Sequence, residues 1–129
     1  MTDPISDMLT RIRNANQALL TDLQLPHSRM KESIAKILKR EGYIAECAVE
    51  GATIKKTLKL KLKYQGRKGV IKGLRRVSSP GLRRYVSATE IPRVLGGLGL
   101  VIVSTSRGIM SGTQARKAQL GGEILAYIW

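Results

Sequence analysis

A chain of 129 residues with 43% apolar and 25% charged side chains holds one domain or two very small ones, and its balance is that of a folded protein. Lys and Arg number 23 against 9 Asp and Glu, a formal charge of +14 that points to a polyanionic partner. No segment approaches the roughly 18–20 apolar residues of a membrane span, and a single cysteine, Cys47, excludes an internal disulfide and suits a reducing compartment.

The opening Met1-Thr2-Asp3-Pro4 lacks the basic stretch and apolar run of a signal peptide, so the protein is expected to stay where it is made. Asp3 before Pro4 predicts a helix start, and Ile5, Met8, Leu9, Ile12, Ala15 and Leu19 follow at helical spacing. Leu23–Pro26 reads as a short strand. Ser28 then caps a second helix with Met30, Ile34, Ile37 and Leu38 as its apolar stripe, ended by Gly42. An extended segment begins at Tyr43-Ile44 and turns at Glu50-Gly51. Leu58, Leu60, Leu62 and Tyr64 alternate with Lys59, Lys61 and Lys63, the period of a strand with one wet face.

Glycines at 66, 69 and 73 suggest a boundary between two halves. Beyond it, Val70-Ile71, Leu74–Val77 and Arg83–Val86 read as extended. Ser79-Pro80-Gly81 is expected to turn with Gly81 at positive φ. One short helical turn is expected in Thr89–Leu95, then a buried strand Leu98–Val103 and a polar loop Ser104-Thr105-Ser106-Arg107-Gly108. Ser111 with Gln114 opens a short helix through Gln119; Gly121-Gly122 stops it, and Glu123–Trp129 is a last strand. The pattern is α+β.

Catalysis needs converging titratable groups, and they are scarce. His27 is the only histidine, placed at a helix mouth where a capping or solvated role is expected. Asp3, Asp7 and Asp22 lie in or just after the first helix. Gly96-Gly97-Leu98-Gly99 lacks the spacing and lysine of a phosphate loop. The chain therefore reads as a binding protein, not an enzyme, with no cofactor, metal or small-molecule substrate.

Binding has more to work with. Residues 1–65 carry 12 basic and 7 acidic side chains, whereas 66–129 carry 11 and 2. A hairpin around Ser79-Pro80-Gly81 would gather Arg75, Arg76, Arg83 and Arg84 at one end, with Tyr85 beside them as a ring for a nucleotide. The hydroxyls of Ser104, Thr105 and Ser106 beside Gly108 suit close contact with sugars, phosphates and base edges. Glu123, isolated in a basic half, is expected to accept hydrogen bonds from a neighbouring loop or a base amino group. The rival readings are a basic module that coats nucleic acid without selectivity, a nuclease, and a binder of anionic membranes.

Several blocks carry a family resemblance. Thr2-Asp3-Pro4-Ile5-Ser6-Asp7-Met8-Leu9-Thr10-Arg11-Ile12-Arg13-Asn14-Ala15, then Ser79–Tyr85, Pro92–Gly99, Val103–Gly108 and Leu120–Tyr127 resemble, in order, blocks of bacterial small-subunit ribosomal protein eight. The resemblance implies two domains, 1–66 with two helices against a small sheet and 67–129, mostly β with one short helix and the principal RNA contacts. It implies a primary binder of the central domain of small-subunit ribosomal RNA that helps build the platform beside other ribosomal proteins, cytoplasmic and ribosome-bound, with an organellar ribosome as the alternative. Some members of such a family also bind their own messenger RNA. By position, Ser104, Thr105, Ser106, Arg107 and Gly108 would meet a distorted RNA helix, with Glu123, Tyr85 and Arg83 bordering that surface. Arg29 and Lys31 would touch RNA at the start of the second helix, with Lys55 and Lys56 as weaker transfers. The chain departs from the family pattern at Ser79, Arg84, Val86-Ser87-Ala88 and Ser111-Gly112.

Overall fold

The structure, a computed structural model, describes residues 3–52 and 54–129; Met1 and Thr2, where the opening block and the expectation of no leader begin, lie outside the described residues. The chain divides into two units, Pro4–Lys72 and Asp3 with Gly73–Trp129. Gly66, at φ 64°, turns the small hairpin of β4 (Tyr64–Gln65) and β5 (Lys68–Gly69), and both strands belong to the first unit, so the division falls after Lys72.

In the first unit, α1 (Pro4–Gln17) buries Ile5, Met8, Leu9, Ile12 and Ala15. The expected stripe stops there. Leu19 lies past the helix end at φ 58° and is half exposed. α2 (Arg29–Arg40) starts where the Ser28 hydroxyl accepts from the Lys31 amide, and Gly42 follows its end at φ 83°. Its stripe differs from expectation at the first turn. Met30 is exposed, and Lys31 is buried instead, its stem covering apolar surface while its ammonium donates to the Pro26 carbonyl at 3.1 Å. β1 (Asp22–Pro26), β2 (Ile44–Glu50) and β3 (Thr57–Leu62) form an antiparallel sheet with β3 central, burying Leu58, Leu60 and Leu62 on one face. Lys59 on the other face pairs with Glu50 at 2.7 Å. The Tyr64 hydroxyl donates to the Leu20 carbonyl, and burial raises its pKa.

In the second unit, β10 (Gly122–Ile128) is central. β8 (Leu100–Thr105) and then β9 (Gly108–Ser111) pair along one side; β6 (Leu74–Arg76) and β7 (Tyr85–Val86) occupy opposite ends of the other. Val101, Val103 and Ile124 pack on Ala115 of α3 (Gly112–Lys117) and on Ile91, which lies between a 3-10 turn at Ala88–Glu90 and a turn at Val94–Gly97 in which Leu95 and Gly96 are left-handed. The Ser111 cap of α3 is present, at 3.2 Å to the Gln114 amide, but Gln119 lies beyond the helix at φ 57°. Gly121 and Gly122 do more than end a helix. A Cβ would overlap the Val86 carbonyl at the first and the Ser104 carbonyl at the second, so β10 approaches both neighbours only as bare backbone.

Several expectations need correction. β6 and β7 pair with β10, not with each other, because the Ser79–Leu82 turn bulges between two separate stretches of its edge. The four arginines are consequently not one cluster. Gly81 is not among the residues at positive φ, so the turn does not use the left-handed conformation expected of it. Val70-Ile71 is not a strand, and Leu98 is 86% exposed rather than buried in one. Ser104 and Thr105 end β8 and Gly108 begins β9, so the polar loop is a hairpin whose turn is Ser106-Arg107.

Candidate nucleic-acid interface

One register row gathers most of the candidate residues. Across β7, β10 and β8, Tyr85 pairs with Glu123 and Glu123 with Ser104, and directly opposed residues share a sheet face roughly 10 Å wide over three strands. The core packing of Val103 and Ile124 on α3 fixes which face, since their chain neighbours Ser104 and Glu123 point away from it. Tyr85 is 67% exposed at one end of the row. At the other, the β8–β9 hairpin carries Ser106 and Arg107 outward on its turn.

The hydroxyls around that turn have different occupations. Thr105 Oγ1 donates to the Gly108 carbonyl at 2.8 Å and accepts from the Arg107 amide at 3.1 Å, so it holds the turn shut. Gly108 sits at φ 111°, a conformation that suits glycine. Neither Ser104 nor Ser106 engages its hydroxyl among the described residues, which leaves both able to donate and accept.

Glu123 is buried and fully employed. Ser78 Oγ donates to its Oε2 at 2.5 Å, and Arg83 Nη1 donates to both oxygens at 3.3 Å. Ser78, itself entirely buried, also accepts from the Arg84 amide at 3.1 Å. The carboxylate is thus an anchor that holds Arg83 on the rim, where 54% of that side chain stays exposed. Sequence reading missed Ser78. Its only signal was a small polar residue near an acid without an obvious counter-ion. Arg76 is drawn elsewhere, to Asp3 at 3.0 Å and the Leu125 carbonyl at 2.7 Å.

The first unit holds the remaining candidates around a second feature. Lys55 and Lys56 are exposed on a groove of about 600 Å³ lined also by Gln24, Pro26 and His27, and the Lys56 carbonyl accepts from the His27 amide at 3.1 Å. Arg29 is exposed at the first position of α2, whereas Lys31 is withdrawn to Pro26. His27 Nε2 lies 2.7 Å from Glu32, whose other oxygen binds Lys36 at 2.8 Å. Hydrogen bonds from Lys36 and then His27 hold the Glu32 carboxyl down at about 2. Candidate residues therefore fall into two groups, one on each unit.

Comparison with known proteins identifies the lineage. The family model described as Ribosomal protein S8 matches residues 3–129. The Small ribosomal subunit protein uS8 of Mesoplasma florum is 59% identical over 128 residues, covering 99% of this chain and 98% of that protein. Its counterparts in Spiroplasma kunkelii and Nocardia farcinica are 56% and 55% identical, covering all of this chain and 99% and 98% of theirs. The blocks noted in the sequence are thus parts of a continuous similarity, and the chain belongs to the ribosomal protein S8 family, which is structural and not enzymatic.

Proposed function

We propose that this protein binds the central domain of small-subunit ribosomal RNA directly and helps assemble the platform of the subunit beside neighbouring ribosomal proteins. Its family places it in the small ribosomal subunit, in a ribonucleoprotein, and no helix among the described residues is long and apolar enough to cross a membrane. The observation that carries the finer reading is the row Tyr85–Glu123–Ser104 with Ser106 and Arg107 on the adjoining turn. A ring, two unengaged hydroxyls and two exposed guanidiniums lie on a unit whose acids among the described residues are Asp3, Glu90 and Glu123, of which Asp3 is paired with Arg76 and Glu123 with Arg83.

That chemistry fits RNA better than a uniform polyanion. A shallow minor groove exposes 2′-hydroxyls and base edges, which short hydroxyl side chains reach and long cations do not discriminate. Arg83 and Arg107 would supply phosphate contacts on either side, Tyr85 a stacking surface, and Gly108 a close approach of backbone. Arg29, Lys55 and Lys56 form a separate basic group for phosphates, and Lys31 supports their surroundings by holding Pro26. The chain's own messenger RNA is a further partner if it presents a similar helix.

A filter-binding titration at two salt concentrations tests this, comparing a central-domain fragment of small-subunit RNA with a scrambled duplex of equal length. A preference of several kcal/mol that persists at the higher salt is expected. Equal, salt-sensitive binding to both would reduce the protein to a non-selective polycation.

A further inference from the structure

Ser78 is the most deeply buried polar side chain among the described residues, with no exposed surface at all. It closes the neck of the Ser79–Leu82 turn. Ile124 of β10 binds both legs below that turn: its carbonyl accepts from the Ser78 amide at 3.1 Å, and its amide donates to the Arg84 carbonyl at 2.9 Å. The Ser78 hydroxyl ties the same two legs together by accepting from the Arg84 amide at 3.1 Å. Above it, Ser79 and Leu82 exchange main-chain hydrogen bonds at 3.0 and 3.1 Å. Ile124 belongs to the core of the unit, so the arm from Ser79 to Arg83 is rooted there.

Arg83 stands at the end of that arm, two residues before the exposed Tyr85. Only Nη1 of its guanidinium reaches Glu123; Nη2 and Nε have no partner among the described residues, and more than half of the side chain is exposed. The Ser78 hydroxyl donates to Oε2, one of the two oxygens that receive Nη1, so the carboxylate cannot turn without losing contacts to both residues. A buried acid occupied in this way adds little to stability, because the cost of its desolvation offsets the attraction. What the network secures is the direction of an exposed guanidinium.

We propose that Ser78 is a positioning residue for RNA binding: without touching RNA, its hydroxyl closes the arm and, through Glu123, aims the free part of the Arg83 fork at a backbone phosphate. The guanidinium fork matches phosphate geometry only when it is held in one orientation, and an arm fixed before binding loses little freedom on binding. This rests on the reading of the Tyr85–Glu123–Ser104 row as an RNA surface.

The test is a double-mutant cycle on the full chain, with the central-domain fragment and the scrambled duplex as probes and thermal unfolding to establish that each variant is folded at the assay temperature. Ser78→Ala leaves the net charge unchanged, so binding to the scrambled duplex should stay at the native level while affinity for the central-domain fragment falls about tenfold. In an Arg83→Ala background the same substitution should change that affinity by less than about twofold. A folded Ser78→Ala protein that binds the fragment like the native one overturns the proposal. So does an equal loss with and without Arg83, which would mark Ser78 as merely structural. A native protein that does not prefer the fragment rejects the RNA surface itself, and the positioning role with it. If Ser78→Ala is unfolded, Ser78→Cys keeps the volume, weakens both hydrogen bonds and is judged by the same criteria.

Discussion

The hydroxyl of Thr105 is spent on its own turn, bound to the Gly108 carbonyl and the Arg107 amide, whereas the next hydroxyl, on Ser106, projects from that turn with no partner among the described residues. Adjacent residues of the same chemistry should therefore fail in different ways. Ser106→Ala is expected to leave folding stability untouched and to cost roughly 1–2 kcal/mol of specific RNA affinity, the scale of one lost hydrogen bond at a desolvated contact. Thr105→Val keeps the shape but removes both turn bonds, and should lower stability by about 1 kcal/mol. Urea unfolding and filter binding on the two variants separate the effects. Equal losses of stability in both would show that the turn, not an RNA contact, accounts for the pair. Glu123 teaches the same lesson at the other end of the row. From sequence it was expected to accept from a neighbouring loop or from a base; Ser78 and Arg83, between β6 and β7, occupy its oxygens, so in the proposed binding mode it serves RNA through the arginine it positions.

At the scale of the element, the entrance of α2 combines a cap with a chain of charges. Ser28 closes one amide, and Glu32 near the start of the helix bridges His27 and Lys36. A carboxylate whose folded pKa lies near 2, below its ordinary 4.5, stabilises the fold above pH about 4.5 and loses that contribution as pH falls through about 2. The urea midpoints of the native protein and Glu32→Gln should differ by a constant amount at neutral pH and converge between pH 4.5 and 2. A gap that does not change with pH would remove the ion-pair explanation. This helix was readable because Ser28, Ile34, Leu38 and Gly42 speak through local rules of capping and periodicity. So was β3, from its leucine alternation. The order of strands in the second unit was not, because β6, β7 and β8 are all defined by pairing with β10, the last strand of the chain, and no local pattern names a partner so distant. Gly121 and Gly122 read as a helix stop for the same reason: the carbonyls they must clear, of Val86 and Ser104, are neighbours only in space. The hydroxyl-bearing segment could be found from its composition, but the division of labour within it depends on hydrogen bonds that composition does not encode.

Over the whole molecule, a charge of +14 makes some attraction to any nucleic acid inevitable, and the question is which residues add selectivity to it. Each neutralised phosphate releases condensed counter-ions, so total affinity falls with salt, while contacts to hydroxyls and base edges contribute almost nothing to that slope. The two kinds of side chain at the β8–β9 turn can therefore be told apart by thermodynamics alone. Arg107 is exposed there and carries no ion pair among the described residues. Its replacement, Arg107→Gln, should weaken binding to the central-domain fragment and to the scrambled duplex by similar factors and reduce the salt slope by about 0.7–0.9, the value of one phosphate contact. Ser106→Ala should do the reverse, leaving the slope alone and narrowing the gap between the two RNAs. Binding isotherms at a series of salt concentrations, run in parallel on both RNAs, measure all four quantities. Were Arg107→Gln to erase discrimination while leaving the slope intact, the guanidinium would be reading a base edge, in the bidentate manner arginine uses on guanine, and the selective contact would belong to Arg107 rather than to the serine beside it.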